Sequence, residues 1–181
     1  KTGFTGKFGI KLEKNKQTIS TMFDIFKPHH FPFMRKQKDG SKRHVDEIVG
    51  DEAIKMMEAF KDGPFCISVS FCSTHADDGN HKPGDGHFPY PAAVKDLYKD
   101  VTFPAPKHDT EEYRKTLPDF LTNPKTSMNR YRYFWRWDTK EKYQKNMQAY
   151  ARMTTGVDAI VGRMRTKLKE LNLDKNTVVI Y

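Results

Sequence analysis

Residues 44–71, "HVDEIVGDEAIKMMEAFKDGPFCISVSF", place a helical pattern directly before a strand pattern. In residues 44–61 the apolar side chains follow the three- and four-residue spacing of an amphipathic helix, and Gly63-Pro64 predicts its end. Residues 65–71 are a short, apolar, β-branched run bounded by turn residues, which predicts a buried strand. A helix followed by such a strand is half of an α/β unit.

A second helix–strand unit is predicted at the end of the sequence. Asp138 and Glu141 form a capping-box pattern ahead of a long helix. "NLDKN" (172–176) predicts a turn, and "TVVIY" (177–181) predicts the start of a strand. We assign the apolar stripe of the helix to the core; it comprises Tyr143, Met147, Tyr150, Val157, Ile160, Val161, Met164, Leu168 and Leu171.

Residues 73–108 hold four of the seven histidines, many prolines and glycines, and no sustained period. An irregular segment of this length is usually functional or disordered, and the sequence "DTEEYRKTLPDFL" (109–121) predicts a short helix after it, ending near Pro118. The acidic and histidine side chains of the irregular segment suggest a metal site, but their spacing matches neither a calcium loop nor a zinc HExxH helix. They are His75, Asp77, Asp78, His81, Asp85 and His87.

The segment "RYRYFWRW", residues 130–137, alternates between one set of mainly basic side chains and another that is aromatic. The alternation predicts an extended segment with a basic face and an aromatic face. Three interpretations stay open: it stacks bases and neutralises phosphates, it stacks sugar rings, or it is a strand with an aromatic core face. No signature of a nucleic-acid-binding module accompanies it, so we expect no nucleic-acid partner.

Composition limits the kind of partner. The formal charge of +9 indicates an anionic partner without choosing among nucleic acid, membrane surface and anionic substrate. No apolar run approaches the roughly 18 residues that a membrane-spanning helix needs, so we expect no membrane span in these residues. Cys66 and Cys72 are predicted to share one face of a strand as small core residues, too far apart to bond each other.

Two residues are candidates for an anion site. In "TGKFGI" (5–10), glycines flank Lys7, which lets the backbone turn sharply and the ammonium approach an anion. The spacing is not that of a P-loop. His75 follows the predicted strand 65–71, and ligands of open α/β sheets bind at the carboxyl ends of strands.

Four pieces in order resemble the sulfatase family of the alkaline-phosphatase-like superfamily. "KTGFTGKFGI" is similar to the family's G-x-x-T-G-K-W-x-L-G signature, and "GPFCISVSFCSTHADD" is similar to its strand ending in a histidine. "YARMTTGVDAIVGRMRTKLKELNLDKNTVVIY" resembles the family's long helix, turn and strand, and the "PYP" near residue 90 also fits. The resemblance implies an α/β fold with a mixed sheet flanked by helices, and residues 1–181 as the central part of one catalytic domain.

The resemblance also implies function. It assigns Lys7 and His75 to the sulfate group: Lys7 would neutralise the sulfuryl oxygens, and His75 would bind the substrate and protonate the leaving oxygen. The substrate would be a sulfated small molecule or glycan, and the cofactors calcium and a formylglycine nucleophile. A secreted, periplasmic or lysosomal location would be typical of such a protein.

Several features depart from the family pattern. Gly9 stands where many sulfatases have a histidine, and Ala76 and Asp77 replace the usual residues after the strand histidine. Neither cysteine lies in the C/S-x-P-x-R context of formylglycine, and the calcium ligands are expected outside this chain, as is the nucleophile. We therefore predict that the 181 residues alone have no turnover.

Two alternatives remain at this point. One is a phosphodiesterase or phosphonate hydrolase of the same superfamily, which differs in metal content and nucleophile. The other is a non-catalytic protein that binds polyanions.

Overall fold

The structure is a computed structural model that describes residues 1–10, 16–123 and 128–181. Its strands are β1 (Thr2–Gly6), β2 (Ile25–Pro28), β3 (Met34–Lys36), β4 (Lys42–His44) and β5 (Cys66–Ser70). The main sheet has the order β2-β1-β5, and all of its strands are parallel. Strands β3 and β4 form a separate antiparallel pair.

Six helices occur in the described part of the chain: α1 (Lys16–Met22), α2 (Val45–Phe60), α3 (Glu111–Lys115), α4 (Asp119–Thr122), α5 (Met128–Arg136) and α6 (Lys140–Glu170). Short 3₁₀ turns lie at Ala92–Val94 and Asp174–Asn176. Helix α2 packs on the sheet through one side and on α6 through another. The α/β class is therefore confirmed, with parallel strands flanked by helices.

The close approach of α2 to its neighbours depends on glycines. A Cβ on Gly3 of β1 would lie 2.8 Å from Sδ of Met56, and a Cβ on Gly50 would lie 2.3 Å from Cγ2 of Ile160 on α6. A buried cluster joins α2 and α6 beneath β5; it contains Ala53, Met57, Met164 and Leu168. A second cluster lies under the long loop and contains Phe33, Val45, Cys72, Phe88, Ala149 and Met153.

Most of the predicted elements are confirmed. Helix α2 and strand β5 lie within residues 44–71 as predicted, and α6 is the long C-terminal helix. The burial predicted for the strand is wrong, because every residue of β5 is partly or fully exposed. The segment 73–108 is irregular apart from one 3₁₀ turn. The short helix expected in residues 109–121, ending near Pro118, is α3, and α4 follows it.

The strand predicted for "TVVIY" (177–181) is not formed. A strand needs a neighbour for its backbone hydrogen bonds, and neither described sheet pairs with this segment. Its apolar side chains are exposed, with Val178 at 84% and Ile180 at 90%. The apolar, β-branched composition favours a strand, but a strand does not form because no described strand pairs with this segment.

The extended conformation predicted for "RYRYFWRW" is wrong, because residues 130–136 belong to α5. The side chains of Arg130 and Tyr131 lie outside the described part. In a helix, residues four apart share a face, so Arg132 and Arg136 point to the same neighbour. Both bind Asp78 in the long loop, and that tertiary contact favours the helix.

Three smaller predictions are also corrected. The cap of α6 is Thr139 rather than Asp138: the Thr139 hydroxyl accepts the Lys142 backbone N–H at 3.3 Å, and Asp138 pairs with the Lys142 ammonium. Cys66 is exposed, because only alternate side chains of β5 face the core, whereas Cys72 beyond the strand is buried. Tyr150 of the predicted core stripe is exposed at 40%.

Among the described helices, none combines the length and the apolar character that crossing a membrane would require.

Gly50 provides a stability test with a control on the partner helix. We expect Gly50→Ala to lower the free energy of unfolding by about 1–3 kcal/mol, because the new methyl group overlaps the buried Ile160. Gly162→Ala, where a Cβ meets nothing within 4 Å, should raise it by about 0.5–1 kcal/mol through helix propensity. Urea denaturation measures both; equal effects would contradict the close α2–α6 contact.

Candidate active site

The loops after β1, β2 and β5 meet at the carboxyl edge of the sheet. The Lys7 backbone N–H donates to the carbonyl of Ser70 at 2.8 Å, and the His29 N–H donates to the carbonyl of Gly6 at 2.7 Å. Gly6 has φ +106°, and a Cβ there would lie 1.8 Å from the Ser70 oxygen. Only glycine fits this turn, which turns the chain so that Lys7 leaves β1 beside the end of β5.

The structure brings the two candidate residues to one aromatic ring. The Lys7 ammonium lies 5.2 Å from the centroid of the Phe31 ring, and the His75 ring centroid lies 5.7 Å from the same point. Phe31 follows β2 and is 43% exposed. Lys7 is half-buried and His75 is exposed, so a ligand can reach both.

The protonation geometry of His75 is set by its neighbour. Its Nδ1 lies 2.6 Å from the carbonyl oxygen of Ala76. A carbonyl only accepts, so Nδ1 carries a hydrogen and donates it. Nε2 is then the atom that gains or loses a proton, which is the arrangement a proton donor to substrate requires.

Asp46 holds the loop that carries His75. This carboxylate is buried in the first turn of α2 and accepts two backbone N–H groups, from Cys72 at 2.7 Å and from Ser73 at 2.9 Å. It therefore joins the start of α2 to the chain just beyond β5. Hydrogen bonds to an ionised acceptor are among the stronger ones, so this junction is rigid.

His44 caps α2 and fixes Asp46 in turn. Its Nδ1 accepts the Asp46 N–H at 3.3 Å, its backbone N–H donates to Glu47 at 2.9 Å, and its Nε2 donates to the carbonyl of Pro89 at 3.1 Å. Burial lowers the pKa of His44, although the charge of Asp46 opposes the shift. The sequence analysis missed this cap because histidine is not a usual N-cap residue; Glu47 three residues later was the available signal.

Helix α5 contacts the loop a few residues after His75. Asp78 accepts from Arg136 at 2.5 Å and from Arg132 at 2.9 Å, and the rings of His81 and Trp135 stack at 4.8 Å. Burial alone would raise the pKa of Asp78, but the hydrogen bond and charge of Arg136, followed by the charges of Arg132 and His75, hold it below its ordinary value. Both arginines therefore form ion pairs inside the protein, with Asp78.

The described residues do not assemble the metal site that the acidic and histidine side chains of the long loop suggest. Within residues 1–10, 16–123 and 128–181, no three His, Cys, Asp or Glu side chains are grouped so that they could hold a metal ion. The loop histidines and aspartates are used otherwise: His87 is buried and its Nε2 donates to the carbonyl of Lys82, and Asp85 accepts from Asn80.

The cysteines do not fit the nucleophile either. Burial, with the charge of Asp46 adding to it, raises the pKa of the Cys72 thiol to about 11. Cys66 is exposed on β5 and lies near the amino edge of the sheet, away from Lys7.

Two further residues at this edge were missed. His29 is half-buried, its Nε2 has no hydrogen-bond partner in the described part of the chain, and burial lowers its pKa. Arg35 on β3 donates to the carbonyl of His30, one residue before Phe31. The signal available was the "KPHHFPFMR" run after β2, which concentrates basic and aromatic residues as a site does.

Lys7, His75 and Phe31 thus lie together at the carboxyl edge of a parallel sheet, which is where α/β proteins bind their ligands. The family model described as Sulfatase matches residues 1–181, the whole chain, so the chain belongs to the sulfatase family. At the family level it is a sulfatase-type hydrolase, with part of an alkaline-phosphatase-like fold. Sulfatases usually use calcium and formylglycine. No curated protein gives a significant match to the sequence.

The half-buried and buried histidines predict how the free energy of unfolding depends on pH. Burial lowers the pKa values of His29, His44 and His87 in the folded protein, whereas an unfolded histidine has a pKa of about 6.5. Below pH 6.5 the unfolded chain therefore binds protons that the folded chain does not. We expect the free energy of unfolding to decrease as the pH is lowered below 6.5, by at most about 1.4 kcal/mol per pH unit for each histidine.

The control for this prediction is His44→Asn, which keeps a capping side chain and removes one titrating group. Urea denaturation from pH 7.5 to 5 should give a shallower slope for His44→Asn than for the parent. Parallel curves would exclude His44 from the effect.

The contact between α5 and the loop gives another prediction. Asp78→Asn leaves the guanidinium of the buried Arg136 without its charged partner, so we expect the free energy of unfolding to fall by about 1–3 kcal/mol. The matched control is Asp109→Asn, which breaks the more exposed pair with Arg114 and should cost about 1 kcal/mol or less. Urea denaturation compares them, and a larger loss for Asp109→Asn would contradict the bracing role.

Proposed function

We propose that residues 1–181 form the central, substrate-binding part of a single sulfatase catalytic domain, and that Lys7 and His75 bind the sulfate ester. The observation that carries this proposal is that the two side chains contact one ring, Phe31, at the carboxyl edge of the parallel sheet. The substrate class is a sulfated carbohydrate or an aryl sulfate.

The chemistry suits these residues. When the bond between sulfur and the ester oxygen breaks, its electron pair stays on the leaving oxygen. The fixed positive charge of Lys7 stabilises the sulfuryl oxygens, and a proton on Nε2 of His75 neutralises the leaving oxygen. The proposal gives no nucleophile and no metal ligand to the described residues.

The family match favours a sulfatase over the phosphodiesterase alternative. The non-catalytic alternative loses part of its support, because Arg132 and Arg136 of the basic segment bind Asp78 rather than facing an external polyanion.

The test is made in the full-length enzyme that contains this sequence. We expect Lys7→Ala to lower kcat/KM by about 100- to 1,000-fold on every sulfate ester, because a preorganised charge is lost. His75→Ala should cost about 100- to 10,000-fold on an alkyl sulfate with a poor leaving group, and much less on 4-nitrophenyl sulfate, whose anion leaves without a proton.

The control is Lys61→Ala, which removes an exposed lysine just past α2, at the opposite edge of the sheet. It should leave kcat/KM within about twofold. Folded Lys7→Ala and His75→Ala enzymes with normal kcat/KM on both esters would remove these residues from the site.

A further inference from the structure

Arg35 is a second cation near Phe31, and binding the single sulfate of the proposed substrate does not require it. Its guanidinium donates to the carbonyl of His30, and its Nε is buried with no hydrogen-bond partner among the described residues. Within that same part of the chain, neither Arg35 nor Lys7 forms an ion pair with a carboxylate, unlike Arg43 on the neighbouring strand, which pairs with Asp51.

Two acidic side chains of α2 on this side of the described structure already have partners. Asp46 accepts the amides of Cys72 and Ser73, and Glu52 of α2 binds Lys55. The charges of Lys7 and Arg35 both act on the buried Cys72 thiol, where each opposes the rise in its pKa. Geometry links both cations to Phe31: the Lys7 ammonium lies 5.2 Å from its ring centroid, and the Arg35 guanidinium binds the carbonyl of His30 directly before it.

A sulfate monoester carries one negative charge, and Lys7 is enough to meet it. A guanidinium differs from an ammonium in presenting a planar fork of donors that matches a carboxylate or a sulfate. Phe31 is 43% exposed, its ring contacts the Lys7 ammonium, and Arg35 binds the carbonyl of the residue before it, so the organic ring of a substrate has an aromatic surface to pack on near both cations.

We propose that Lys7, Phe31 and Arg35 bind a sulfated ring that carries a second anionic group, with the ring on Phe31 and the second anion on Arg35. This inference rests on the proposed function, because it places the first sulfate at Lys7. The second anion is a further sulfate or a carboxylate, and both offer oxygens that accept hydrogen bonds from a guanidinium.

The experiment measures dissociation constants for sulfonates, which mimic sulfate esters and are not hydrolysed. Calorimetry on the full-length enzyme compares benzylsulfonate with two ring-substituted forms, one carrying a second sulfonate and one a carboxylate. We expect at least one second anion to tighten binding by about tenfold to a hundredfold in the parent enzyme, as a charge-assisted hydrogen bond would.

The key variant is Arg35→Met, which keeps an apolar stem and removes the charge. We expect it to abolish the preference for two anions and to leave binding of benzylsulfonate within about twofold. The matched control is Lys36→Met, one residue along β3, whose side chain points to the other face of the strand and is exposed. It should keep the preference.

Other variants separate this inference from the proposed function. Lys7→Met should weaken all three probes alike, and no effect there would count against the proposed function alone. Phe31→Leu should weaken the ring probes by about two- to tenfold and leave inorganic sulfate unchanged. A parent enzyme without preference for two anions, or an Arg35→Met enzyme that retains it, would overturn the inference.

Discussion

The candidate site depends on the hydrogen bonds that the Asp46 carboxylate accepts from two backbone amides. It is the point where the buried start of α2 accepts the two amides that follow β5, and the segment that leads to His75 begins there. A buried carboxylate is costly to desolvate, and the two N–H groups of Cys72 and Ser73 offset that cost. The same helix packs on β1 through Gly3, so one element sets the positions of both Lys7 and His75.

The rest of the loop is held from outside the sheet. Arg132 and Arg136 bind Asp78, and the carbonyl of Trp135 accepts the N–H of Gly84 at 2.9 Å. A long irregular segment has little secondary structure to order it, so side chains of neighbouring helices supply that order. Ion pairs and ring stacking from α5 hold its first part, and side chains of α6 hold later positions: Asn146 accepts the N–H of His87, and Arg152 donates to the carbonyl of Leu97. A basic, aromatic sequence that suggests a polyanion-binding surface is here used largely to fix the loop that follows the strand histidine.

The sequence predicted the fold where local pattern and tertiary packing agree. The spacing in residues 45–60 and the apolar run in β5 are strong signals that need no distant partner to interpret. It failed where a distant partner decides: Asp78 selects a helix for α5, and "TVVIY" lacks a neighbouring strand. For the site, it found Lys7 and His75 as candidates but not Phe31, because no short-range pattern reports that a third strand ends beside them.

Phe31 also explains how a half-buried lysine can be kept ready for an anion. A carboxylate partner would compete with the substrate for the ammonium, whereas an aromatic ring attracts it weakly and without a formal charge. The ring therefore orients Lys7 at small energetic cost, and under the proposed function the sulfate would have no carboxylate of the described residues to displace from Lys7. The same reasoning applies to His75, which faces the ring and hydrogen-bonds a carbonyl through Nδ1, so that Nε2 remains the proton-exchanging atom.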